Sequence, residues 1–269
     1  MAYLKFHPAP ALQQYVMFYY ILEYEHILEK SLILHSPPKG LGGMVINFSD
    51  PYYTTNKNGE WEKVSDHFIA GQFTENYTLQ LQGKVGMVGV VFFPNAIPNL
   101  LNIPMSEFTD QRIDISLVLG ENSNILTEQI ISAETHEGRI EILEQYLLDI
   151  FCKSNASIDI VDYALSMIMK NNGNISIEDL SDHLCISMRH FRRRFTEKIG
   201  LSPKFYARIK RFNHIMHLSE TSPANWADLV FRGGYYDQAH FIHDFHSLSG
   251  KSPSEFFNYN RHLAQVVGA

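Results

Sequence analysis

Residues 187–206 read SMRHFRRRFTEKIGLSPKFY, and residues 237–256 read DQAHFIHDFHSLSGKSPSEF. Laid over one another, they pair His190 with His240, Phe191 with Phe241, Phe195 with Phe245 and Gly200 with Gly250, then Ser202-Pro203 with Ser252-Pro253 and Tyr206 with Phe256, always 50 residues apart. Upstream, Asp179-Leu180 matches Asp228-Leu229 at an offset of 49, so the second copy carries one extra residue in its turn. Agreement at this many typed positions marks a repeated structural unit.

Each matched position has a local reason. Ser176, with Asp179 three residues on, predicts an N-cap for a helix over Ile177–His183. A short turn, Leu184–Ile186, leads to a second cap, Ser187, and a helix over Met188–Ile199. Met188, Phe191, Phe195 and Ile199 then fall on one face. Gly200 closes the helix where left-handed geometry costs least, and Ser202 caps the next one with Pro203 at its first position. Two helices joined by a tight turn, the second with a one-sided apolar stripe, make a helix-turn-helix. At about 100° per residue, with Phe191 at zero, Arg189, Arg193 and Thr196 project roughly opposite the stripe and Arg192 flanks them. A guanidinium can make two parallel bonds to guanine O6 and N7, or neutralise phosphates and release counterions. A merely solvated helix would interleave Glu at i,i+4 instead.

Charge distribution supports a polyanion partner for one half only. The whole chain carries −7, which taken alone argues against nucleic acid. Residues 1–154 hold 9 basic and 18 acidic side chains, 9 − 18 = −9, whereas residues 155–269 hold 13 and 11, 13 − 11 = +2. Between Arg189 and Arg211 there are nine basic residues and one acid, Glu197.

On these residues the stretch 157–260 resembles the tandem helix-turn-helix domain of AraC/XylS-type bacterial transcription regulators. Asp179-Leu180, Ser187, Phe191, Phe195, Gly200 and Ser202-Pro203 carry the likeness in copy one; Gly234-Tyr235, Asp237-Gln238, His240-Phe241, Phe245, Gly250, Ser252-Pro253 and Phe256 carry it in copy two. The resemblance implies two recognition helices in successive major grooves of double-stranded DNA. Base contacts are expected from Arg189, Arg192 and Arg193 in the first, and from Gln238, Ala239 and His243 in the second. Phosphate contacts are expected from Ser187, Lys198, Ser202, Lys204, Arg208, Arg211 and Ser252. The linking helix, Pro203 to about Ser219, has an expected apolar seam of Phe205, Ile209, Phe212 and Met216. At 1.5 Å per residue it is about 26 Å long, suited to holding two readers about one DNA turn apart. His243 and His246 stand where the family usually carries Arg or Lys, so copy one is expected to supply most of the electrostatic affinity.

The rest of the chain predicts an α+β protein. Leu32–His35, Gly43–Phe48, His67–Gln72, Tyr77–Gln82 and Lys84–Phe93 read as short strands separated by turn clusters, with Gly83-Lys84 a hairpin turn. Short strands at tight turns favour a small β-barrel or sandwich, here cupin-like. Helices are expected over Ala96–Leu101, Ser116–Leu119, Asn124–Ala133 and His136–Cys152. In the last, the stripe Ile140, Leu143, Leu147 and Ile150 must pack on the sheet, the second domain or a twin chain. The expected domains are 1–152, for sensing or dimerisation, and 156–262, with helix-turn-helix units at about 176–200 and 225–250. The resemblance implies that the first domain binds a small effector, pairs subunits as a homodimer, or both. Phe48, Phe68, Tyr77 and Phe92 are candidates to line an apolar effector cavity. The alternative is a ligand-independent DNA-binding protein whose first domain only dimerises.

Other chemistries find little support. His240, His243 and His246 recur at three-residue steps, but no carboxylate or Cys completes a metal site at ligand spacing. His7, His26, His35, His67 and His136 contain no His-x-His pair of the cupin kind. No Ser/His/Asp set or Walker-type phosphate loop is present, so neither an enzyme nor a cofactor or metal is expected. Cys152 and Cys185 are too few for a disulfide framework, and Cys185 reads as a small buried hydrophobe. Glycines and prolines interrupt the apolar stretch Val85–Leu101, and MAYLKFHPAP lacks a signal layout; the expectation is a cytoplasmic protein without membrane association.

Overall fold

The computed structural model describes residues 2–55, 58–153, 158–221 and 230–257. The chain divides into two compact units, Met1–Ser36 with Leu41–Gln72 and Tyr77–Ser157, and Pro37–Gly40 with Phe73–Asn76 and Ile158–Ala269. The start of the second helix-turn-helix, with Asp228-Leu229, and the expected domain end near 262 lie outside the described residues.

The first unit is built on an eight-stranded antiparallel sheet: β1 (Ala2–Phe6), β2 (Val16–Ser36), β3 (Gly42–Asn47), β4 (Tyr53–Thr55), β5 (Trp61–Lys63), β6 (His67–Ala70), β7 (Tyr77–Phe92) and β8 (Arg112–Asp114). The pairing order is β1-β2-β7-β3-β6-β8, with β4 joined to β7 and β5 to β4. Among the described residues β1 and β8 end this path without meeting, so the expected barrel is corrected to an open sheet. Closure needs edge strands that meet with a defined stagger. Here the edges have five and three residues, and β8 runs directly into a helix.

Strand β2 is far longer than the Leu32–His35 segment expected, because Glu23, Glu29 and Lys30 break the apolar pattern along it. Its register against β7 shifts between Tyr24 and Leu28 and again before Leu32, with Leu28 opposite Gly83. The expected hairpin at Gly83-Lys84 is therefore a kink inside one strand. Gly83 has φ +66, and Asp50 Oδ2 accepts the Lys84 N–H at 2.8 Å beside it. Lys84–Phe93 is continuously apolar because both sheet faces are covered. Val88 and Val90 pack with helices α1 (Ala96–Leu101), α2 (Ile115–Leu119), α3 (Asn122–Ser132) and α4 (His136–Lys153), whereas Val85 and Met87 pack with Tyr52, Val64, Phe68 and Leu81. Within α4, Ile140, Leu143 and Leu147 are buried in the sheet's own core, which settles where that stripe packs.

The second unit comprises α5 (Ile160–Lys170), α6 (Ile177–His183), α7 (Met188–Ile199), α8 (Pro203–Thr221) and α9 (Gln238–Ser249). Helices α6 and α7 have the predicted bounds, and Ser176, Ser187 and Ser202 cap their helices as read. The turns repeat bond for bond. Cys185 N–H donates to Asp182 O and Ile186 N–H to Ser181 O; 49 residues on, Gly234 N–H donates to Phe231 O and Tyr235 N–H to Val230 O. Cys185 is exposed, not buried as expected, because its position requires left-handed backbone (φ +54, against +72 for Gly234) rather than apolar bulk. The aromatic packing repeats too, Phe195 lying 6.0 Å from Tyr206 and Phe245 lying 5.6 Å from Phe256 between ring centres. On α8 the seam is Tyr206, Ile209, Phe212 and Ile215; the expected Phe205 and Met216 are only half-buried.

Replacing Gly83 by Ala places a side chain on a left-handed residue, at about 1–2 kcal/mol, and drives its Cβ against Asp50 Oδ2. Gly59, at φ +80 with open space around it, is the control. Urea unfolding is expected to show Gly83→Ala losing more stability than Gly59→Ala; equal losses would mean that Asp50 yields freely.

Candidate nucleic-acid interface

Helix α7 turns Phe191, Phe195 and Ile199 wholly into the core, which leaves Arg189, Arg192 and Arg193 exposed. Among the described residues no carboxylate lies within ion-pair reach of these three; Arg193 Nη2 sits 3.4 Å from His190 Nδ1. Ser187 accepts the His190 N–H and fixes the start of the helix. Three exposed guanidinium groups thus crowd one stretch of helix with no ion pair among the described residues, the nearest acid on that face being Glu197, one turn beyond Arg193. That arrangement costs self-repulsion in the free protein and suits an anionic partner.

The fourth arginine faces the other way. Arg194 Nη2 is 2.8 Å from Asp159 Oδ2, and Lys198 Nζ is 2.7 Å from Asp162 Oδ2 and 3.2 Å from Asp159 Oδ1. Asp159 and Asp162 form the capping box of α5: Asp159 Oδ1 accepts the Val161 and Asp162 N–H groups, and Asp162 Oδ2 accepts the Asp159 N–H. Lys198, expected at the phosphates, has a side chain only 14% exposed and an ammonium held by two carboxylates.

Helix α9 is capped by Asp237, whose Oδ1 accepts the His240 N–H at 2.8 Å. Gln238, Ala239 and His243 are exposed, as are His240 and His246, while Phe241, Phe245 and Leu248 are buried. Between the two phenylalanines lies Asp244, its side chain 5% exposed. Arg208 of α8 holds it, with Nη2 at 2.8 Å and Nε at 3.1 Å from Oδ1. Arg208 Nη2 also donates to Ser247 Oγ at 2.9 Å, and Arg211 Nη2 stands 4.0 Å from Asp244 Oδ2. Two expected phosphate contacts, Arg208 and Arg211, are therefore directed at a buried acid.

Two other expected positions remain open to solvent. Lys204 is exposed at the start of α8, and Ser202 Oγ accepts the Phe205 N–H at 3.3 Å. Both border a groove of about 420 Å³ that also takes in Arg192 and Met188. Ser252 differs, because its hydroxyl and N–H both donate to Glu255 Oε2, at 2.6 and 2.8 Å. These bonds from Ser252 hold the Glu255 carboxyl below the usual carboxylate range, so that helix start already carries an anion.

Of the four candidate effector residues, Phe68 and Tyr77 share the Arg112 guanidinium, at 6.0 and 4.5 Å from their ring centres, while Phe48 and Phe92 pack with the other cluster. Phe68 and Phe92 are buried in different clusters of the sheet unit. Phe48 is half-buried with the Arg139 guanidinium carbon 4.3 Å from its ring centre. The cavity lined by Phe92, Met44 and Ile69 measures about 20 Å³, room for roughly one water.

Sequence reading missed Asp159, Asp162 and Asp244. A usable signal existed for the last, since Asp244 interrupts the apolar face between Phe241 and Phe245 and stands 50 residues from Arg194, its counterpart in the repeat.

Residues 180–259 match a family model described as a helix-turn-helix domain, and residues 4–114 match one described as a domain of unknown function, DUF6597. Over 81 residues the chain is 28% identical to the HTH-type transcriptional activator RhaS of Shigella boydii, a match covering 30% of this chain and 29% of that protein. An apo variant of ToxT from Vibrio cholerae is 14% identical, covers 88% of this chain and 96% of its own, and has a TM-score of 0.48. A second ToxT structure from the same organism gives 14%, 91%, 97% and 0.47. Among the described residues no helix is long and apolar enough to cross a membrane.

Asp159→Ala removes an N-cap, worth about 1 kcal/mol, together with two ion pairs, and is expected to lower the melting temperature by several degrees. Asp159→Asn keeps a capping oxygen and is expected to recover part of the loss. Identical melting of Asp159→Ala and the parent would show that α5 does not depend on this cradle.

Proposed function

We propose that this chain, an AraC/XylS-type transcription regulator, binds specific double-stranded DNA through α7 and α9, without catalysis and in the cytoplasm. The observation that carries the reading is the exposed cluster of Arg189, Arg192 and Arg193, none in an ion pair among the described residues, on a helix whose opposite face is locked in the core. In this reading those arginines read base edges in one major groove, and Gln238, Ala239 and His243 read a second. Ser187, Ser202 and Lys204 grip phosphates. Because α9 presents imidazoles where α7 presents guanidinium groups, copy one contributes most of the electrostatic affinity.

The test uses a duplex selected from a randomised library by the full chain. The logarithm of its binding constant is expected to fall steeply with the logarithm of salt concentration, by about 0.9 per phosphate neutralised. Arg193→Ala is expected to weaken binding by roughly tenfold or more at pH 7.5, an Arg–guanine pair being worth about 1–3 kcal/mol, and His243→Ala by less. Equal losses, or a flat salt dependence, would contradict the assignment.

We read the sheet unit as the regulatory half, responding to a small effector. A relative such as RhaS is named an activator, and the same output is proposed here. Native mass spectrometry of the full chain separates the two roles considered for this unit. A small molecule retained at constant stoichiometry supports the sensor, whereas a ligand-free, concentration-dependent dimer supports a unit that only pairs subunits.

A further inference from the structure

The two readers are tied to the helices before them by ion pairs of opposite polarity. In copy one the reader supplies the bases, Arg194 and Lys198, and α5 supplies the acids, Asp159 and Asp162. In copy two the reader supplies the acid, Asp244, and α8 supplies the bases, Arg208 and Arg211. Arg194 and Asp244 are repeat equivalents, 50 residues apart, and each reaches back 35 or 36 residues to its partner. The strut thus occupies the same place in both copies with its sign reversed.

We propose that Asp244 is the positioning residue of the second reader, and that Arg208 is its strut rather than a phosphate contact. This rests on the DNA-binding reading above. Both nitrogens of Arg208 that reach Asp244 converge on one carboxylate oxygen, and the same guanidinium ties Ser247 one turn along α9. An Arg bonded to two points of a helix resists both rotation and sliding of that helix. Asp244 Oδ2 is buried without a hydrogen-bond partner and faces the Arg211 guanidinium at 4.0 Å and the His240 ring at 3.9 Å. A buried carboxylate so placed is costly to leave unpaired, which keeps Arg208 on it rather than on a passing phosphate. Lys204, on the same helix, is exposed and has no ion pair among the described residues, and is the natural comparison.

The experiment measures binding of the full chain to the duplex it selects from a randomised library, across a range of salt. Lys204→Gln is expected to make the log–log salt slope shallower by about 0.9, as one lost phosphate contact does. Arg208→Gln is expected to weaken binding by roughly tenfold while leaving the slope unchanged, and Asp244→Ala to do the same. Hydroxyl-radical footprints of both strut variants are expected to lose protection over the half-site read by α9 and to keep it over the half-site read by α7. Arg208→Gln shifting the slope like Lys204→Gln, or Asp244→Ala retaining the full footprint and affinity, would overturn the proposal. Loss of both half-sites together would overturn it as well, since the strut would then serve the whole unit and not one reader. If Asp244→Ala fails to fold, Arg208→Gln decides alone, by its salt slope and by which half-site its footprint loses. A parent chain that selects no duplex defeats the DNA-binding reading itself and is recognisable as that separate outcome.

Discussion

Phe195 and Phe245 are both completely withdrawn from solvent, and the orientations of α7 and α9 follow from that burial. A helix with a single apolar stripe turns until the stripe is covered, and whatever lies opposite is then committed to the surface. Burying one such ring is worth about 1.5–3 kcal/mol, whereas an exposed ion pair is worth about 0–1 kcal/mol. The aromatic term therefore sets the rotation of α7 and α9, and the charges take the positions it leaves them. Edge-on packing within each copy, Phe191 on Phe195 at 5.7 Å and Phe241 on Phe245 at 5.6 Å, adds direction to an otherwise non-directional force.

The nine basic residues between Arg189 and Arg211 consequently do not act as one patch. Packing divides seven of them. Arg194 and Lys198 fall towards α5 and meet its capping acids; Arg208 and Arg211 fall towards α9 and meet Asp244. Arg189, Arg192 and Arg193 fall towards solvent. Reversal of sign between the copies also bears on how the repeats assemble. Exchanging α7 and α9 would set Asp244 against Asp159 and Asp162, and Arg194 and Lys198 against Arg208 and Arg211, like charge facing like at both places. Two units with nearly the same apolar faces are thereby distinguished by electrostatics.

The helix-turn-helix units were legible because their signals are local. Caps, the closing Gly200 and Gly250 and the spacing of phenylalanines each act within a turn or two of chain, and α6 and α7 have the bounds read from them. What was not legible depends on distance in sequence. Lys198 and Arg208 look alike on paper as basic residues near a reader; only acids 36 residues away decide where each one points. Cys185 misled for a different reason. A small apolar residue suggests burial, but the turn selects for backbone conformation and leaves the side chain outside. In the sheet unit, the charges along β2 mask its period-2 signal, and short strands at tight turns suggest a barrel when closure is a matter of which edges meet.

Comparing the copies position by position separates what packing requires from what chemistry allows to vary. Apart from the exposed His190 and His240, the matched positions at an offset of 50 singled out above are aromatic rings, the closing glycines and the Ser-Pro that starts the next helix, and these determine backbone path and core volume. The charged positions among those that differ include Arg193 against His243, Arg194 against Asp244 and Lys198 against Leu248. Leu248 is buried in the core of the helical unit, and Lys198, at the equivalent place in copy one, has a side chain 14% exposed and its ammonium on two carboxylates. A lysine can take that place only because its aliphatic stem packs as leucine does while its end finds a counter-charge. Where α5 offers acids the reader can afford extra base on its inner edge; where α8 offers bases the same edge must be apolar or acidic. The composition of each reader's hidden face is thus dictated by the helix beneath it, and the outward faces are left to differ.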